Sequence, residues 1–223
     1  MILAAGVGER MRPLTDQTPK PLLRVADVPL IEYHIRALAT AGYRDLVINV
    51  SHLAGQIVAY CGDGERWGVK VSYSRESAPL ETAGGIQRAL PLLGNDPFLV
   101  VNGDVWTDFD LGRLHDYRFR PWERAHLVLV DNPPQHPLGD FCLEDAGKVV
   151  YRPDDGVGFT YAGIGVFSAA FFSGMAPGKL ALRPLLDAAI AAGTLGAEHY
   201  PGEWADVGTP KRLRELDRQA RSR

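Results

Sequence analysis

The first 25 residues constrain the fold of this chain more than any other segment. They begin with a short apolar run and continue into a loop that contains Gly6 and Gly8. Glycines after a strand let the backbone turn sharply and bring its amide groups close to an anion. Arg12 and Lys20 follow the loop and supply positive charge. The segment therefore predicts a phosphate-binding element at the carboxyl end of a first β-strand.

Two well-known phosphate motifs do not fit this loop. No Gly-Lys-Ser/Thr follows the glycines, which excludes a P-loop, and no third glycine completes a dinucleotide fingerprint. A bare pair such as Gly6 and Gly8 also occurs in an ordinary turn between a strand and a loop, so that alternative stays open. Pro19 and Pro21 stiffen the backbone around Lys20 and disfavour a helix there. This rigid lysine beside the glycine loop favours the phosphate-binding interpretation.

Helices and strands alternate after this segment. Apolar residues recur at helical spacing over 29–41, and a shorter helix is predicted over 53–61. Continuous apolar runs at 46–50 and 69–73 predict strands between and after them. This alternation is typical of an α/β fold with a mainly parallel sheet and helices on both faces. Ligands of such folds bind beyond the carboxyl ends of the strands, which is where functional residues are expected.

The segment 80–85, with the sequence LETAGG, lies in such a position. It follows the strand predicted to end near residue 74 and precedes a short helix predicted over 86–90, which Pro91 helps to end. Gly84 and Gly85 are expected to open that helix and leave its first amides accessible to a ligand. The alternative is that the two glycines only allow the helix to pack closely.

A second candidate follows the most apolar strand, predicted over 97–101. Its end continues into Asn102, Gly103 and Asp104. An aspartate just past a central strand is a suitable ligand for Mg²⁺, which prefers hard oxygen donors and keeps substrate phosphates among its other ligands. The alternative is an Asn-Gly turn inside a β-hairpin. The flanking residues do not alternate as paired strands do, which favours the metal site.

The second half of the chain is less regular. Further strands are predicted over 126–130, 148–152 and 159–167, and an alanine-rich helix over 183–192. A last strand is predicted at 204–207. Thr209 and Pro210 then have the residue types of an N-cap and a first helical position, which predicts a charged helix over residues 209–221.

Composition narrows the class of protein. The 223 residues are 46% hydrophobic and 23% charged, which is ordinary for one globular domain. The net charge of −3 gives no basic field, so nucleic acid is not an expected partner. No apolar stretch is long enough to span a membrane, and no secretory leader is visible. Cys61 and Cys142 form no CxxC motif and are expected to be reduced thiols, which predicts a cytoplasmic location.

The residues LAAGVGERMRPLTDQTPKPLLRV, at positions 3–25, closely resemble the signature of the sugar-1-phosphate nucleotidyltransferases. These enzymes join a nucleoside triphosphate to a sugar 1-phosphate and release pyrophosphate. The resemblance covers nearly the whole chain and implies a Rossmann-like, glycosyltransferase-A-like fold in a single domain over 1–223. It further implies that residues 1–110 mainly bind the nucleotide and residues 111–223 mainly bind the sugar.

The same resemblance assigns roles residue by residue. Arg12 and Lys20 are the implied catalytic residues. The implied nucleotide-binding residues are Leu3, Ala4, Ala5, Gly6, Gly8, Arg12, Lys20, Glu81, Thr82 and Gly84. The implied substrate-binding residues are Asn102, Gly139, Asp140 and Thr160.

Two aspartates are implied to hold Mg²⁺. Asp104 lies in the Asn-Gly-Asp segment, and Asp206 matches the second metal aspartate of the family's W-x-D-V-G-T segment. A helix cap or a salt-bridge partner is the alternative for Asp206. A turn aspartate after Gly139 is the alternative for Asp140, which is otherwise expected to bind a sugar hydroxyl.

Within the family, the likeness favours UTP and N-acetylmuramate 1-phosphate as substrates, in peptidoglycan recycling. Many relatives carry Glu-Lys-Pro where this chain has residues 158–161, and the loss of that glutamate suits a sugar substituted at the hydroxyl it binds. Guanylyl transfer to mannose 1-phosphate and thymidylyl transfer to glucose 1-phosphate remain alternatives, because segments 81–85 and 139–163 give no unique code. A nucleotide-sugar-binding regulatory subunit is the non-enzymatic alternative. Both a monomer and a homodimer remain open.

Overall fold

A computed structural model describes residues 1–222. Its strands are β1 (Ile2–Leu3), β2 (Arg24–Val25), β3 (Val28–Pro29), β4 (Asp45–Val50), β5 (Lys70–Arg75), β6 (Phe98–Asn102), β7 (Val105–Thr107), β8 (Ala125–Val130), β9 (Phe141–Leu143), β10 (Val149–Tyr151), β11 (Thr160–Phe167), β12 (Leu195–Tyr200) and β13 (Trp204–Asp206). Its α-helices are α1 (Leu30–Thr40), α2 (Ala54–Cys61), α3 (Glu81–Leu93), α4 (Arg183–Ala191) and α5 (Pro210–Arg221).

Seven strands form the central sheet in the order β12-β8-β11-β6-β1-β4-β5. Only β11 runs antiparallel to its two neighbours, β6 and β8, and every other pair of neighbours in this sheet is parallel. The mixed, mainly parallel α/β fold in a single domain is therefore confirmed. Because β6 pairs with β11, the two halves of the chain share one sheet.

Apolar side chains cover both faces of this sheet. Ile31 and Ile35 of α1 pack with Ile48 of β4 and Ile57 of α2 in one core cluster. On the other face, Ile86 of α3 packs in a second cluster with side chains of β6, β8 and α4. All six residues of β8 are buried, which explains its uninterrupted apolar sequence. Within residues 1–222, no helix has both the length and the apolar character needed to cross a membrane.

The predicted helices over 29–41 and 53–61 and the strands over 46–50 and 97–101 are confirmed, with ends that shift by one or two residues. The helix predicted over 86–90 is longer than predicted. It begins at Glu81 and continues through Pro91 to Leu93, with Gly84 and Gly85 buried in its interior. The strand β12 was not predicted, because its half-exposed polar residues obscure the apolar pattern of an edge strand.

The hairpin alternative for residues 102–104 is wrong. The backbone turns at Gly103 and Asp104, but the following strand β7 pairs with β13 and not with β6. This antiparallel pair sets Asp206 opposite Val105, the residue after Asp104. The ribbon thus brings two segments about 100 residues apart to the same edge of the central sheet.

Candidate active site

A cleft of about 220 Å³ lies where β1, β4, β5 and β6 end. This is the edge of the sheet at which ligands of open α/β folds bind. Nine of the residues predicted for the site line it: Leu3, Ala4, Ala5, Gly6, Lys20, Glu81, Thr82, Asn102 and Asp104. The remaining lining residues are Pro21, Asn49, Glu76, Pro79, Leu80 and Gly103.

Lys20 and Asp104 meet in this cleft. The Nζ atom of Lys20 donates a short hydrogen bond to Oδ2 of Asp104. The lysine side chain is 11% exposed and the aspartate side chain 39% exposed, so the ammonium group is largely enclosed while the carboxylate faces the cleft. Lys20, between Pro19 and Pro21, begins a short 3₁₀ helix over Lys20–Leu22, so the two prolines did not prevent a helical turn here. The arrangement presents one fixed cation and one carboxylate to any ligand that enters.

Asp206 is not among the residues that line the cleft, but on strand β13 its backbone lies next to that of Asp104. The N–H of the following residue, Val207, donates to the carbonyl oxygen of Asp104 at 2.8 Å. The Asp206 carboxylate accepts hydrogen bonds at Oδ1 from Nη1 of Arg212 and from Nε2 of Gln135, the latter at 2.7 Å. The structure thus brings the two predicted metal aspartates to adjacent backbone positions, and each pairs with a cation.

The donor set fits a hard divalent cation that shares its coordination with substrate. No group of three or more His, Cys, Asp or Glu side chains that could hold a metal occurs among residues 1–222. Asp104, in the turn before β7, and Asp206, in β13, supply carboxylate oxygens. Mg²⁺ commonly takes one or two carboxylates and completes its shell with water and phosphate oxygens. The assignment of a metal to these two aspartates stays a prediction.

Sequence reasoning missed two buried residues that shape the cleft. Oδ1 of Asn49, at the end of β4, accepts the N–H of Ala4 at 2.7 Å, and its Nδ2 donates to Glu76 Oε1 at 2.7 Å. Glu76 follows β5 and accepts the N–H of Leu80 through Oε2 at 2.9 Å. This chain of hydrogen bonds ties three strand ends to the start of α3. The sequence signal that could have identified these two residues is a polar residue at or just after the end of an apolar strand.

The glycine loop is held by contacts within the first 20 residues. Gly8 has a φ of +71°, and an added Cβ would lie 2.9 Å from Cγ2 of Thr15, so a side chain is excluded there. A Cβ on Gly6 would meet nothing within 4 Å. Gly6 therefore keeps its backbone open toward the cleft.

Arg12 lies outside the cleft lining. Its side chain is 62% exposed, and its Nε atom lies 3.3 Å from Oδ1 of Asp16. The catalytic and nucleotide-binding roles of Arg12 stay predictions, and they require the guanidinium group to leave Asp16.

The start of α3 differs from what the sequence predicted. The N–H groups of Ala83 and Gly84 both donate to the carbonyl oxygen of Leu180, at 3.0 and 3.1 Å. A Cβ on Gly84 would lie 2.2 Å from the carbonyl oxygen of Gly178, so this glycine allows close packing of the helix against a loop. The expectation that the Gly84 amide is accessible is wrong, and a nucleotide contact by Gly84 stays a prediction. Glu81 opens the helix with a φ of +60°, a strained conformation for a residue with a side chain.

Two of the predicted sugar-binding residues, Asp140 and Thr160, lie in a separate group of hydrogen bonds. Asp140 accepts the N–H of Tyr161 at 2.9 Å through Oδ2, and His136 Nε2 lies 3.1 Å from its Oδ1. Oγ1 of Thr160 donates to Oδ1 of Asn132 at 2.8 Å. None of these four side chains lines the cleft described above. Their roles toward a sugar stay predictions.

Two glycines allow the close approaches in this region. Gly139 has a φ of +69°, and a Cβ on it would lie 2.6 Å from Oδ1 of Asn132. Gly163, in β11, has a φ of +74°, and its Cβ would lie 2.6 Å from Nδ2 of Asn102. Asn102, which lines the cleft, therefore packs against β11, the strand that carries Thr160.

Comparison with known proteins gives a consistent result. A family model described as nucleotidyl transferase matches residues 1–223. The N-acetylmuramate alpha-1-phosphate uridylyltransferase of Neisseria meningitidis serogroup B is 48% identical over 219 residues, which are 96% of this chain and 95% of that protein. The mannose-1-phosphate guanyltransferase of Aspergillus fumigatus is 31% identical over 95% of this chain, and the glucose-1-phosphate thymidylyltransferase of Streptomyces griseus is 32% identical over 98%. This chain spans 61% and 64% of the lengths of those two relatives.

Solved structures share the fold. A Bacillus anthracis protein assigned as a glucose-1-phosphate thymidylyltransferase, crystallised with sucrose, superposes with a TM-score of 0.88 at 24% identity and covers 100% of this chain and 94% of that one. HddC from Yersinia pseudotuberculosis, complexed with GMP-PN, superposes with a TM-score of 0.78 at 21% identity, over 98% of this chain and 97% of that one.

Proposed function

Since the chain belongs to the nucleotidyl transferase family, we propose that it transfers the uridylyl group of UTP to N-acetylmuramate 1-phosphate. The products are UDP-N-acetylmuramate and pyrophosphate. The observation that carries the choice of substrates is the 48% identity, over nearly the full length of both chains, to the Neisseria uridylyltransferase. The guanylyl- and thymidylyltransferase relatives match at 31 and 32%. We further propose a cytoplasmic location and a role in peptidoglycan recycling.

The reaction needs no general base. The phosphate of a sugar 1-phosphate is already ionised near neutral pH, so one of its oxygens can attack the α-phosphorus of UTP directly. A new oxygen–phosphorus bond forms as the bond between the α-phosphorus and its bridging oxygen breaks, and pyrophosphate leaves with that electron pair. Such a reaction depends on positioning and on the stabilisation of negative charge.

The residues of the cleft match these requirements. Lys20, enclosed and fixed by flanking prolines, provides a positive charge at the reacting centre. The backbone of Gly6 and Gly8 and the guanidinium group of Arg12 hold the β- and γ-phosphates of the leaving group. Mg²⁺ bound by Asp104 and Asp206 would neutralise negative charge on both phosphates.

The nucleotide and the sugar are bound mainly by different halves of the chain. Glu81 and Thr82, which line the cleft, contact the base and ribose together with Gly84. Asn102, Gly139, Asp140 and Thr160 receive the sugar. Apart from Asn102, which lies at the end of β6, this division follows the predicted nucleotide half, 1–110, and sugar half, 111–223.

The decisive experiment measures pyrophosphate release with Mg²⁺. UTP, dTTP, GTP and CTP are crossed against a panel of sugar 1-phosphates that includes N-acetylmuramate 1-phosphate. Turnover confined to UTP with the muramyl sugar supports the proposal. Faster turnover with another pair would retain the mechanism and overturn the substrates. Tight nucleotide binding without turnover across the panel would favour a regulatory nucleotide-binding subunit.

Substitution of the aspartates tests the metal. Asp104→Asn and Asp206→Asn each remove one carboxylate charge with little change in shape, and each is expected to lower the affinity for Mg²⁺ and the rate of product formation. The matched control is Asp108→Asn. Asp108 lies outside the cleft, and its Oδ1 accepts hydrogen bonds from the hydroxyl of Tyr200 and the N–H of Glu203. Unchanged product formation by Asp104→Asn at low Mg²⁺ concentration would overturn the metal assignment.

A further inference from the structure

The C-terminal helix α5 reaches the active-site edge through Arg212. Its guanidinium Nη1 forms an ion pair and a hydrogen bond with Oδ1 of Asp206. The arginine side chain is 20% exposed and that of Asp206 is 26% exposed, so the contact lies largely inside the protein. Neither the sequence patterns nor the proposed chemistry assigns Arg212 a role.

The surroundings are built for this contact. A Cβ on Gly208 would lie 2.4 Å from Nη2 of Arg212 and 2.9 Å from Oδ2 of Asp206, so only glycine leaves room for the guanidinium group. The N-cap residue Thr209 accepts the backbone N–H of Arg212 at 3.3 Å and its Nε at 3.4 Å. A cation in the first turn of a helix opposes the helix dipole. The ion pair with Asp206 compensates for that unfavourable placement.

The charges at the metal aspartates balance. Asp104 pairs with Lys20 just as Asp206 pairs with Arg212. Two carboxylates and two cations sum to zero, so a divalent cation that approaches the free protein meets attraction and repulsion of similar size. A nucleoside triphosphate adds several negative charges and oxygen ligands and shifts that balance toward the metal.

We propose that Arg212 occupies the Asp206 half of the metal site until the nucleotide arrives, so that divalent cation binding depends on the nucleotide. Arg212 is then a positioning residue that acts through Asp206. When the triphosphate brings the metal, the guanidinium group gives up part of its contact with Asp206. The proposal rests on the proposed function, because it takes Asp104 and Asp206 as the metal ligands.

The test measures Mn²⁺ binding to the full chain without nucleotide, from the electron paramagnetic resonance signal of free Mn²⁺. Arg212→Gln removes the competing cation and is expected to bind Mn²⁺ roughly tenfold or more tightly than the parent. Gly208→Ala keeps every charge but displaces the guanidinium group, and the same direction of change is expected. Arg212→Lys keeps a cation and should remain near the parent value.

Arg214→Gln is the matched control. This exposed arginine on the same helix lies away from Asp206, so its loss removes one positive charge without freeing the carboxylate. Its Mn²⁺ affinity should equal that of the parent. In the Asp206→Asn background, Arg212→Gln should no longer tighten binding.

Several outcomes would overturn the proposal. These are equal or weaker Mn²⁺ binding by Arg212→Gln, equal tightening by Arg214→Gln, or tightening that persists with Asp206→Asn. Addition of a non-hydrolysable UTP analogue should reduce the difference between the parent and Arg212→Gln, and an undiminished difference would count against the role of the nucleotide. Thermal melting of each variant identifies any that do not fold. Because these measurements need no turnover, failure of the proposed activity would be seen separately, in the pyrophosphate assay.

Discussion

Two clusters of ionic residues in this protein differ in how their charges are enclosed. At the edge of the sheet that carries the candidate active site, the Lys20–Asp104 and Arg212–Asp206 pairs retain between 11 and 39% side-chain exposure. The second cluster, Glu123 and His126 with Tyr117 and Glu198, lies against β8 and β12. In it the side chains of Glu123 and His126 are 0 and 3% exposed.

Most groups of the buried cluster pair with one another, and among residues 1–222 Nε2 of His126 is the cluster's buried side-chain atom without a hydrogen-bond partner. His126 Nδ1 lies 2.8 Å from Glu123 Oε1, and the hydroxyl of Tyr117 donates to Glu123 Oε2 at 2.9 Å. Nε2 of His126 lies 3.6 Å from Oε1 of Glu198, within ion-pair range. A Cβ on Gly196 would lie 1.7 Å from Glu123 Oε1, so glycine is required for the carboxylate to fit. With side chains 0 and 3% exposed, Glu123 and His126 present almost no surface to a ligand.

The pKa shifts in this cluster favour its charged form. Burial alone would lower the pKa of His126, but the carboxylates of Glu123 and Glu198 outweigh burial and raise it above the usual value of 6.5. Burial alone would raise the pKa of Glu123, but hydrogen bonds from His126, the Arg120 N–H and Tyr117 lower it. The network therefore contributes to folding as a set of paired charges.

The difference in exposure indicates that the buried cluster serves stability and that the exposed pairs serve function. A fully buried ion pair is costly to break, because the remaining charge has no water to solvate it. A partly exposed pair at a cleft can exchange its partner for a phosphate or a metal ion at small cost. The active-site edge is therefore suited to ligand exchange, and the buried cluster to maintaining the fold around β8 and β12.

The largest expected effect is on turnover. Lys20→Gln removes the positive charge that we propose for the reacting centre and should lower kcat by about 10²–10³-fold, the range seen when one charge-stabilising donor is lost. The free energy of unfolding should change little, since Asp104 retains access to water. Steady-state pyrophosphate release and urea unfolding measure the two quantities. A raised KM with unchanged kcat would instead assign Lys20 to uniform substrate binding.

The opposite result is expected in the buried cluster. His126→Leu removes the buried charged partner of Glu123 and leaves only the longer contact of 3.6 Å to the partly exposed Arg120. It should lower the free energy of unfolding by about 3 kcal/mol, while kcat stays unchanged. Urea unfolding and the pyrophosphate assay test both expectations. The double variant Glu123→Met/His126→Leu should recover part of the loss, because no unpaired charge remains on Glu123. A loss equal to the sum of the single variants would contradict the coupling.

The pH dependence of stability gives a smaller effect. Since the folded-state pKa of His126 is raised, its stabilising contribution is complete below about 6.5 and is lost as the pH rises through the folded pKa. Since the folded-state pKa of Glu123 is lowered, its contribution to stability is complete above about pH 4.5 and is lost as the pH falls through the folded pKa. The stability difference between the parent and His126→Gln should therefore shrink between pH 6 and pH 9. A difference that grew with pH over this range would contradict a charged His126.

The smallest expected effect concerns backbone strain at the cleft. Glu81 adopts a φ of +60° that glycine tolerates without penalty. Glu81→Gly should raise the free energy of unfolding by about 0.5–1 kcal/mol, the relieved strain less the added flexibility of the unfolded chain. Glu81→Ala keeps the strain and is the matched control. Equal stabilities of the two variants in urea unfolding would show that the strain contributes nothing measurable.

The fold was largely readable from the sequence because its signals are local. Apolar periodicity identified α1, α2, β4 and β6, and the glycines and prolines around Lys20 identified the loop that borders the cleft. The positions after strands also indicated Asp104 correctly as a cleft residue. The start of α3 was misjudged, because the packing of Gly84 against the carbonyl oxygens of Gly178 and Leu180 involves residues almost 100 positions away.

The sequence alone therefore determined the α/β class, the glycine loop and the set of charged residues available for chemistry. Only the tertiary structure decided which charges meet: Asp104 with Lys20, Asp206 with Arg212, and Glu123 with His126. The physical reason is that a strand or helix pattern depends on neighbouring residues, whereas an ion pair depends on a distance in space. That distance is set by the β7–β13 pairing and by glycines whose missing side chains let these groups approach.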